Sequence, residues 1–506
     1  MEKYQERITF RAAYVVALTL LGAWLRLRHL GLPSFWLDEI LGYDIATAAA
    51  KQPLWRWLTI FDLEHGPLYY ATELAGRFLG HIETSARLLP ALIGIATIPI
   101  AWFAARAIRS HPAAPYVFTL LLTVSPLHVY YSREARPYAL LALISTALLA
   151  AFLSERRSAV IAALMVAGFC ATATAAPLII AAGIAAMIAR RWRLVGAAGL
   201  CGALVAACYH PASHAGGVVR WSVVRDLLES FSVVALDTSA HHRGALVFAG
   251  LAAIGAIDLI RRNRVQGLIA ICFCVLPIGI VIAATLATQH FFAIRYVIAA
   301  LPAYLLLVSI GVATLVAPLK RFAIVAAILA GCLLAREQWW AAMTEPFKKL
   351  DWRSIVAAIA RHAHENDPVI ADNESSAICA GFYARQMSPH LRVFDARSSQ
   401  KLGEVFAYQN TTSWLMVTAP SEFASWTCRF PIVLATENFR LHYSPSGYYF
   451  LTDRSTPAEH RALSSSFGGG DPILQFGPQD DGLLGEGWSS AEPEGGRRLI
   501  GERAFV

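Results

Sequence analysis

Four short stretches of this chain hold the residue types that could do chemistry. "FWLDEI" (35–40) sets two adjacent carboxylates, Asp38 and Glu39, behind a tryptophan. "EHGPLYY" (64–70) follows Glu64 with His65, a Gly-Pro turn and the paired tyrosines Tyr69 and Tyr70. "YYSREARPYALL" (130–141) packs Arg133, Glu134 and Arg136 into four residues, with Tyr138 just beyond. "QHFFAIRYVIAALP" (289–302) carries Arg295 and Tyr296. A carboxylate such as Asp38, Glu39 or Glu134 can take a proton from an attacking hydroxyl. Arginine matches phosphate geometry and stabilises charge that develops on it. Together these groups suit a hydroxyl nucleophile and a phosphate leaving group. Each stretch also has a plainer reading. The two acids can solvate a loop end, His65 can be incidental beside tyrosine anchors, Arg133–Glu134–Arg136 can be a local ion pair, and Arg295 can snorkel.

Such residues need elements to hold them. Of 506 residues, 56% are hydrophobic and 15% are charged, and the mean hydropathy is +0.49. A soluble protein cannot hide that much apolar side chain, so an integral membrane protein is expected. The apolar runs are Phe10–Leu25, Leu88–Ala105, Val117–Tyr131, Tyr138–Leu153, Ala159–Ala189, Leu194–Tyr209, Ala245–Ile260, Gly267–Thr288, Val297–Leu319 and Phe322–Ala335. The Ala159–Ala189 run is too long for one crossing and reads as two helices hinged within 171–177. That makes about eleven transmembrane helices at roughly 20 residues per span. Trp339 and Trp340 read as an interfacial belt.

Basic residues fall in every second loop: Lys3/Arg7/Arg11, Arg106/Arg109, Arg156/Arg157, Arg190/Arg191/Arg193, Arg261/Arg262/Arg264 and Lys320/Arg321. The positive-inside rule then places the N-terminus in the cytoplasm. Loops 31–87, 132–137, 173–176, 210–244 and 289–296 face outside, as does everything after 337. All four chemical stretches therefore share the outer face of an inner or plasma membrane. The net charge of +8 is largely this inside-facing signal and gives no reason to expect nucleic acid. The first run carries Arg26 and Arg28 at its outer end and lacks a small-residue cleavage site, so it reads as a signal-anchor. The outer loop 31–87 is rich in Trp, Tyr and Phe, which suits helices lying at the interface.

The expected domains are 1–340, transmembrane; 341–455, a small extracytoplasmic α/β domain; and 456–506, a flexible tail rich in Gly, Ser, Pro and Glu. In the middle part, "DPVIAD", "SWLMVTA", "FPIVLAT" and "GYYFLTD" alternate with helical patterns. Six cysteines (170, 201, 208, 272, 274, 332) lie in the apolar runs and read as inert thiols. Cys379 and Cys428 fall outside, where a disulfide is permitted.

The chain resembles the GT-C membrane glycosyltransferases, specifically the protein-mannosyltransferase-like superfamily that includes the aminoarabinose–lipid A transferases. The pieces that carry the resemblance are "LPSFWLDEI", "HGPLYY" with "ARLLPALIG", "SPLHVYYSREARPYALL", "RYVIAALPAYLLLVSIG" and "KKLDWRSIVAAIA". The resemblance implies a GT-C all-α polytopic fold and an inverting transfer on the outer face. Its donor would be a polyprenyl-phosphate-linked sugar, and its acceptor a hydroxyl of a glycan, lipid or protein. Asp38 matches the first-loop acid that serves as base or positions the acceptor, with Glu39 beside it. His65 stands where members carry His or Lys near the donor phosphate. Glu134 and Arg136 match the cavity-lining motif. Arg295 and Tyr296 match a late Arg-Tyr pair in which the arginine holds the lipid-linked phosphate. Tyr69, Arg133 and Tyr138 flank these positions and complete the expected substrate-binding set. "HGP" departs from the pattern, since many members have a second proline. Some members hold a divalent metal ion with acids of these loops and others work without one. Asp38, Glu39, Glu64 and His65 carry suitable donor atoms. A lipid-linked-sugar flippase and a non-catalytic membrane scaffold are the competing readings. The charges lie at outer boundaries rather than the midplane, and no inverted repeat is evident, which disfavours the flippase.

Overall fold

The computed structural model describes residues 2–57, 59–62, 64–75, 81–108, 111–209, 227, 231, 241–288 and 293–316, and shorter pieces between 352 and 452. The last apolar run, Phe322–Ala335, the tryptophans at 339–340, Cys332, Cys428 and the tail 456–506 lie outside the described residues. By packing, the chain divides into two units. One comprises Met1–Leu32 and Gly42–Glu345; the other comprises Pro33–Leu41 and Pro346–Val506.

The first unit is helical. Its elements are α1 (Glu2–Leu27), α2 (Leu37–Ala49, entering the unit at Gly42), α3 (Leu54–Trp57), α4 (Pro67–Ala75), α5 (Ile82–Arg106), α6 (Ala114–Val124), α7 (Pro126–Ser132) and α8 (Tyr138–Leu153). They continue with α9 (Ser158–Ala171), α10 (Ala176–Ile188), α11 (Trp192–Cys208), α12 (His241–Arg262), α13 (Arg264–Thr288) and α14 (Leu301–Val316). Among the described residues four helices are long and apolar enough to cross a membrane: Thr9–Leu27, Ile82–Arg106, Arg264–Ala287 and Ile294–Leu315. Phe10, Leu20, Phe103 and Leu286 are exposed along these helices, as expected of side chains whose solvent is lipid. The chain is built as a multi-pass membrane protein.

Several apolar runs are broken helices, and the breaks have local causes. Val117–Tyr131 is not one helix. Ser125 leaves helical geometry, its side chain accepts the His128 N–H at 3.4 Å, and Pro126 opens α7. The hinge within 171–177 lies at Thr172, which is extended (φ −168°, ψ 150°) between α9 and a 3₁₀ turn, Ala173–Ala175. Pro177 then sits in the first turn of α10, where its missing N–H costs nothing. Another 3₁₀ turn, Ile294–Ala300, leads into α14. Helices α12 and α14 cross closely. A Cβ on Gly255 would lie 2.0 Å from the Leu307 carbonyl oxygen, and one on Gly311 would lie 2.0 Å from that of Leu251. Small residues at the crossing let the two backbones touch.

In the second unit, helix α15 (Glu374–Met387) accompanies six short strands. They are β1 (Pro368–Ala371), β2 (Arg392–Asp395), β3 (Ser413–Met416), β4 (Ile432–Ala435), β5 (Arg440–Tyr443) and β6 (Tyr449–Thr452). Their order is β2-β1-β3-β4-β6-β5. Neighbours run parallel except β5 and β6. In register, Ile370 pairs with Phe394 and Leu415, and Leu434 with Leu415 and Phe450.

Candidate active site

The "EHGPLYY" stretch is folded by a residue that sequence reasoning passed over. One carboxylate oxygen of Asp62 accepts the backbone N–H groups of Glu64 (2.7 Å) and His65. The other accepts from His65 Nδ1 at 3.2 Å and from the Tyr70 hydroxyl. A carboxylate only accepts, so Nδ1 of the neutral ring carries the proton and Nε2 offers a lone pair. Burial would raise the Asp62 carboxyl, but the bonds from His65, Tyr70 and the Glu64 amide outweigh it and hold it well below the usual carboxylate range. Burial, then the Arg136 charge, lower the His65 imidazole from its ordinary value, against the raising effect of Asp62.

Main-chain bonds stitch this loop to the α9 break. Gly66 N–H donates to the Ala171 carbonyl (3.1 Å) and Ala173 N–H to the Glu64 carbonyl (2.8 Å). The Thr172 hydroxyl also donates to Glu64 O at 2.9 Å. Only glycine fits at 66, because a Cβ there would lie 2.4 Å from the Cys170 carbonyl oxygen and 2.5 Å from the Tyr209 hydroxyl.

From His65 an aromatic chain runs through the site. The His65 ring lies 4.8 Å from that of Tyr69. The buried Arg136 guanidinium lies 6.0 Å from the Tyr69 ring and 5.7 Å from the Tyr138 ring. Tyr138 meets Tyr131 edge-on at 4.9 Å. Tyr131 lies within electrostatic reach of Glu134, Arg295 and Tyr296, and the Arg295 guanidinium sits 5.4 Å from the Tyr296 ring. The Tyr69 hydroxyl donates to Ala135 O at 3.1 Å, tying α4 to the 133–137 turn. Burial and the Glu73 charge push the Tyr69 phenol well above its ordinary range, so it stays protonated. The fold thus gathers His65, Tyr69, Glu134, Arg136, Tyr138, Arg295 and Tyr296. Asp62, Tyr70 and Tyr131 join them. Tyr131 lies in "YYSREARPYALL" at the end of an apolar run, with no sequence signal that singles it out.

Arg133 is placed elsewhere. It donates to the carbonyls of Arg28 (2.9 Å) and His29 (3.5 Å), just past the end of α1. Burial, with Arg87 and Arg28 nearby, lowers its guanidinium to about 10. Arg26 makes the reverse connection. Fully buried, it donates to Thr123 O in the last turn of α6 (3.2 Å), to Gly22 O (3.1 Å), to Ser132 Oγ (3.4 Å) and to His128 Nδ1 (2.7 Å). Arg26, on α1, thus meets the C-terminal end of α6, and Arg133, at the end of α7, meets the chain just past α1, as cations near helix C-termini do; through Ser132, His128 and Arg133 they tie α7 to α1.

Asp38 and Glu39 belong to the second packing unit. They occupy the first turn of α2, a favourable place for negative charge. Glu39 is buried and Asp38 half-buried. Their segment is anchored within that unit. Phe35 N–H donates to the Tyr383 hydroxyl at 2.6 Å, the Phe35 and Phe382 rings are 5.8 Å apart, and Arg353 N–H donates to Ser34 Oγ at 3.1 Å. Cys379 is a free thiol, pushed up to about 12 by burial and by the Asp38 charge. Among the described residues no three His, Cys, Asp or Glu side chains converge as a metal site.

No protein-family model and no curated protein sequence matches the chain. Solved structures do. ArnT from Cupriavidus metallidurans bound to undecaprenyl phosphate matches with a TM-score of 0.50 and 15% sequence identity, over 79% of this chain and 88% of that one. The fold is that of ArnT. The apo structure of the same protein matches at a TM-score of 0.48 and 15% identity, over 78% of this chain and 91% of that one. The helical membrane fold implied by the outer-loop motifs is thus shared with that protein.

Proposed function

We propose that the chain is an inverting glycosyltransferase that moves a sugar from a polyprenyl-phosphate-linked donor to a hydroxyl acceptor on the outer face of the membrane. The observation that carries this reading is the aromatic, cationic cluster built from three separate loops: His65–Tyr69, Glu134–Tyr138 and Arg295–Tyr296. Its fold is shared with a protein solved with undecaprenyl phosphate. Arg136 and Arg295 hold the donor phosphate and stabilise the charge left on it as the glycosidic bond breaks. His65 stands beside that phosphate, and Tyr69 and Tyr138 wall the arginine from water. Asp38 takes the proton of the acceptor hydroxyl, whose oxygen attacks the anomeric carbon opposite the leaving phosphate. Glu39 and Glu134 support this proton transfer and orient the sugar.

The reading includes about eleven crossings, a cytoplasmic N-terminus, an extracytoplasmic α/β domain over 341–455 and a bilayer that solvates the polyprenyl tail. Mass spectrometry of membrane lipids tests it, in cells with the protein, without it, and with Asp38→Asn. The donor is expected to accumulate in the last two, with one glycan losing a sugar. Identical donor pools and glycans in all three, with the variant folded, would sink the transferase reading in favour of a flippase or scaffold.

A further inference from the structure

The second packing unit has no assigned role, yet it holds the segment that carries the two acids. Pro33–Leu41 packs with residues after 346, across more than 300 positions of sequence. The contact is specific. Phe35 is fully buried, and so are Phe382 and Tyr383 on α15. The three rings form a continuous chain of contacts, Phe35 tilted against Phe382 and Phe382 edge-on to Tyr383 at 5.2 Å. The Tyr383 hydroxyl accepts the N–H of Phe35 at 2.6 Å. That donor lies just before α2, whose first bonds run from Glu39 and Ile40 N–H to Trp36 O at 3.0 Å. Fixing Phe35 fixes where the helix starts, and so where its first turn points Asp38 and Glu39. One residue earlier, Ser34 Oγ is held by Arg353 N–H, so the entry to α2 is pinned at consecutive residues.

From this we propose that the C-terminal unit is a positioning element for the acid pair, with Tyr383 and Phe382 of α15 as the clamp that sets the start of α2. The proposal rests on the transferase reading for what Asp38 does, but the clamp itself is testable without it. Tyr383 touches no reacting atom; it acts through the backbone of Phe35.

The experiment uses the full chain in nanodiscs, as wild type, Tyr383→Phe and Phe35→Ala. Tyr383→Phe keeps the ring and deletes only the acceptor oxygen, so it stays informative if Phe35→Ala does not fold. One arm measures transfer kinetics. A misaimed base lowers kcat by roughly tenfold or more while the donor KM stays within about twofold. A general loss of folded enzyme would lower the active fraction without this split. The other arm follows labelling of Cys379, buried on the same helix face region as Phe382, by a membrane-impermeant maleimide, read by peptide mass spectrometry. Labelling is expected to be several-fold faster in both variants. Unchanged kcat in both variants together with unchanged Cys379 labelling overturns the clamp. If the wild type transfers no sugar, the transferase reading fails, and the labelling arm alone decides the clamp.

Discussion

Asp62 gathers four hydrogen bonds on one carboxylate, from two amides, an imidazole and a phenol. This gives the loop a pH dependence of definite sign. Asp62 and His65 both titrate below their ordinary values. A depressed group contributes stability that is present above its unfolded pKa and lost as pH falls through the folded one. Acidification from neutrality therefore loosens the loop, first below about pH 6.5 as the His65 contribution fades, then below about pH 4, where the unfolded chain protonates Asp62 while the folded loop keeps it ionised. Amide exchange across 62–70, corrected for intrinsic chemistry, is expected to speed up in that window relative to the core of α8. A flat profile would show that these bonds do not hold the loop. Sequence analysis found His65 and not Asp62 for a physical reason. Histidine beside Gly-Pro is a visible oddity, whereas an aspartate three residues earlier looks like any loop acid until its bonds are seen. Arg133 shows the converse. Two arginines flank Glu134 in sequence, but only the geometry separates Arg136, stacked among tyrosines, from Arg133, which caps α1.

Helix breaks do much of the positioning at the element scale. Pro177 and the change of residue type at Thr172 made one hinge legible. The Ser125 break was not, because Val117–Tyr131 is apolar throughout and length alone suggested a single crossing. The loop stitched to the Thr172 hinge gives a sharp test at Gly66. A Gly66→Ala methyl would meet the Cys170 carbonyl, which is backbone and cannot swing away. Overpacking of this kind costs about 1–3 kcal/mol. The expected result is a lower melting temperature in detergent and a loss of transfer larger than the stability change explains, since the peptide bearing His65 must shift. Normal melting and normal transfer would mean that the close approach relaxes without consequence. The interfacial character expected of loop 31–87 was half of the story. Its aromatic residues do form short helices, but Tyr69 and Tyr70 are buried in the protein.

Across the whole molecule, composition and the length of the apolar runs carried the broad class, because a bilayer imposes length rules that a single sequence displays. Long-range partnerships left no such trace. Nothing in "FWLDEI" points to a helix near residue 380. The crossing of α12 and α14 is another partnership of this kind, two glycines more than 50 positions apart, each against the other helix's backbone. Gly255→Leu is expected to force these helices apart and destabilise the first unit by a few kcal/mol. Earlier thermal aggregation in detergent checks this, while unchanged thermal behaviour would mean that the helices re-dock at no cost. The stitched hinge has a mechanical consequence. Residues 64–66 and 171–173 are joined by main-chain bonds at both ends of one short ladder, so the imidazole rides on the joint between two bilayer-facing helices. A change in the angle between α9 and α10 would therefore move the peptide that bears His65 directly, without a relay of side chains.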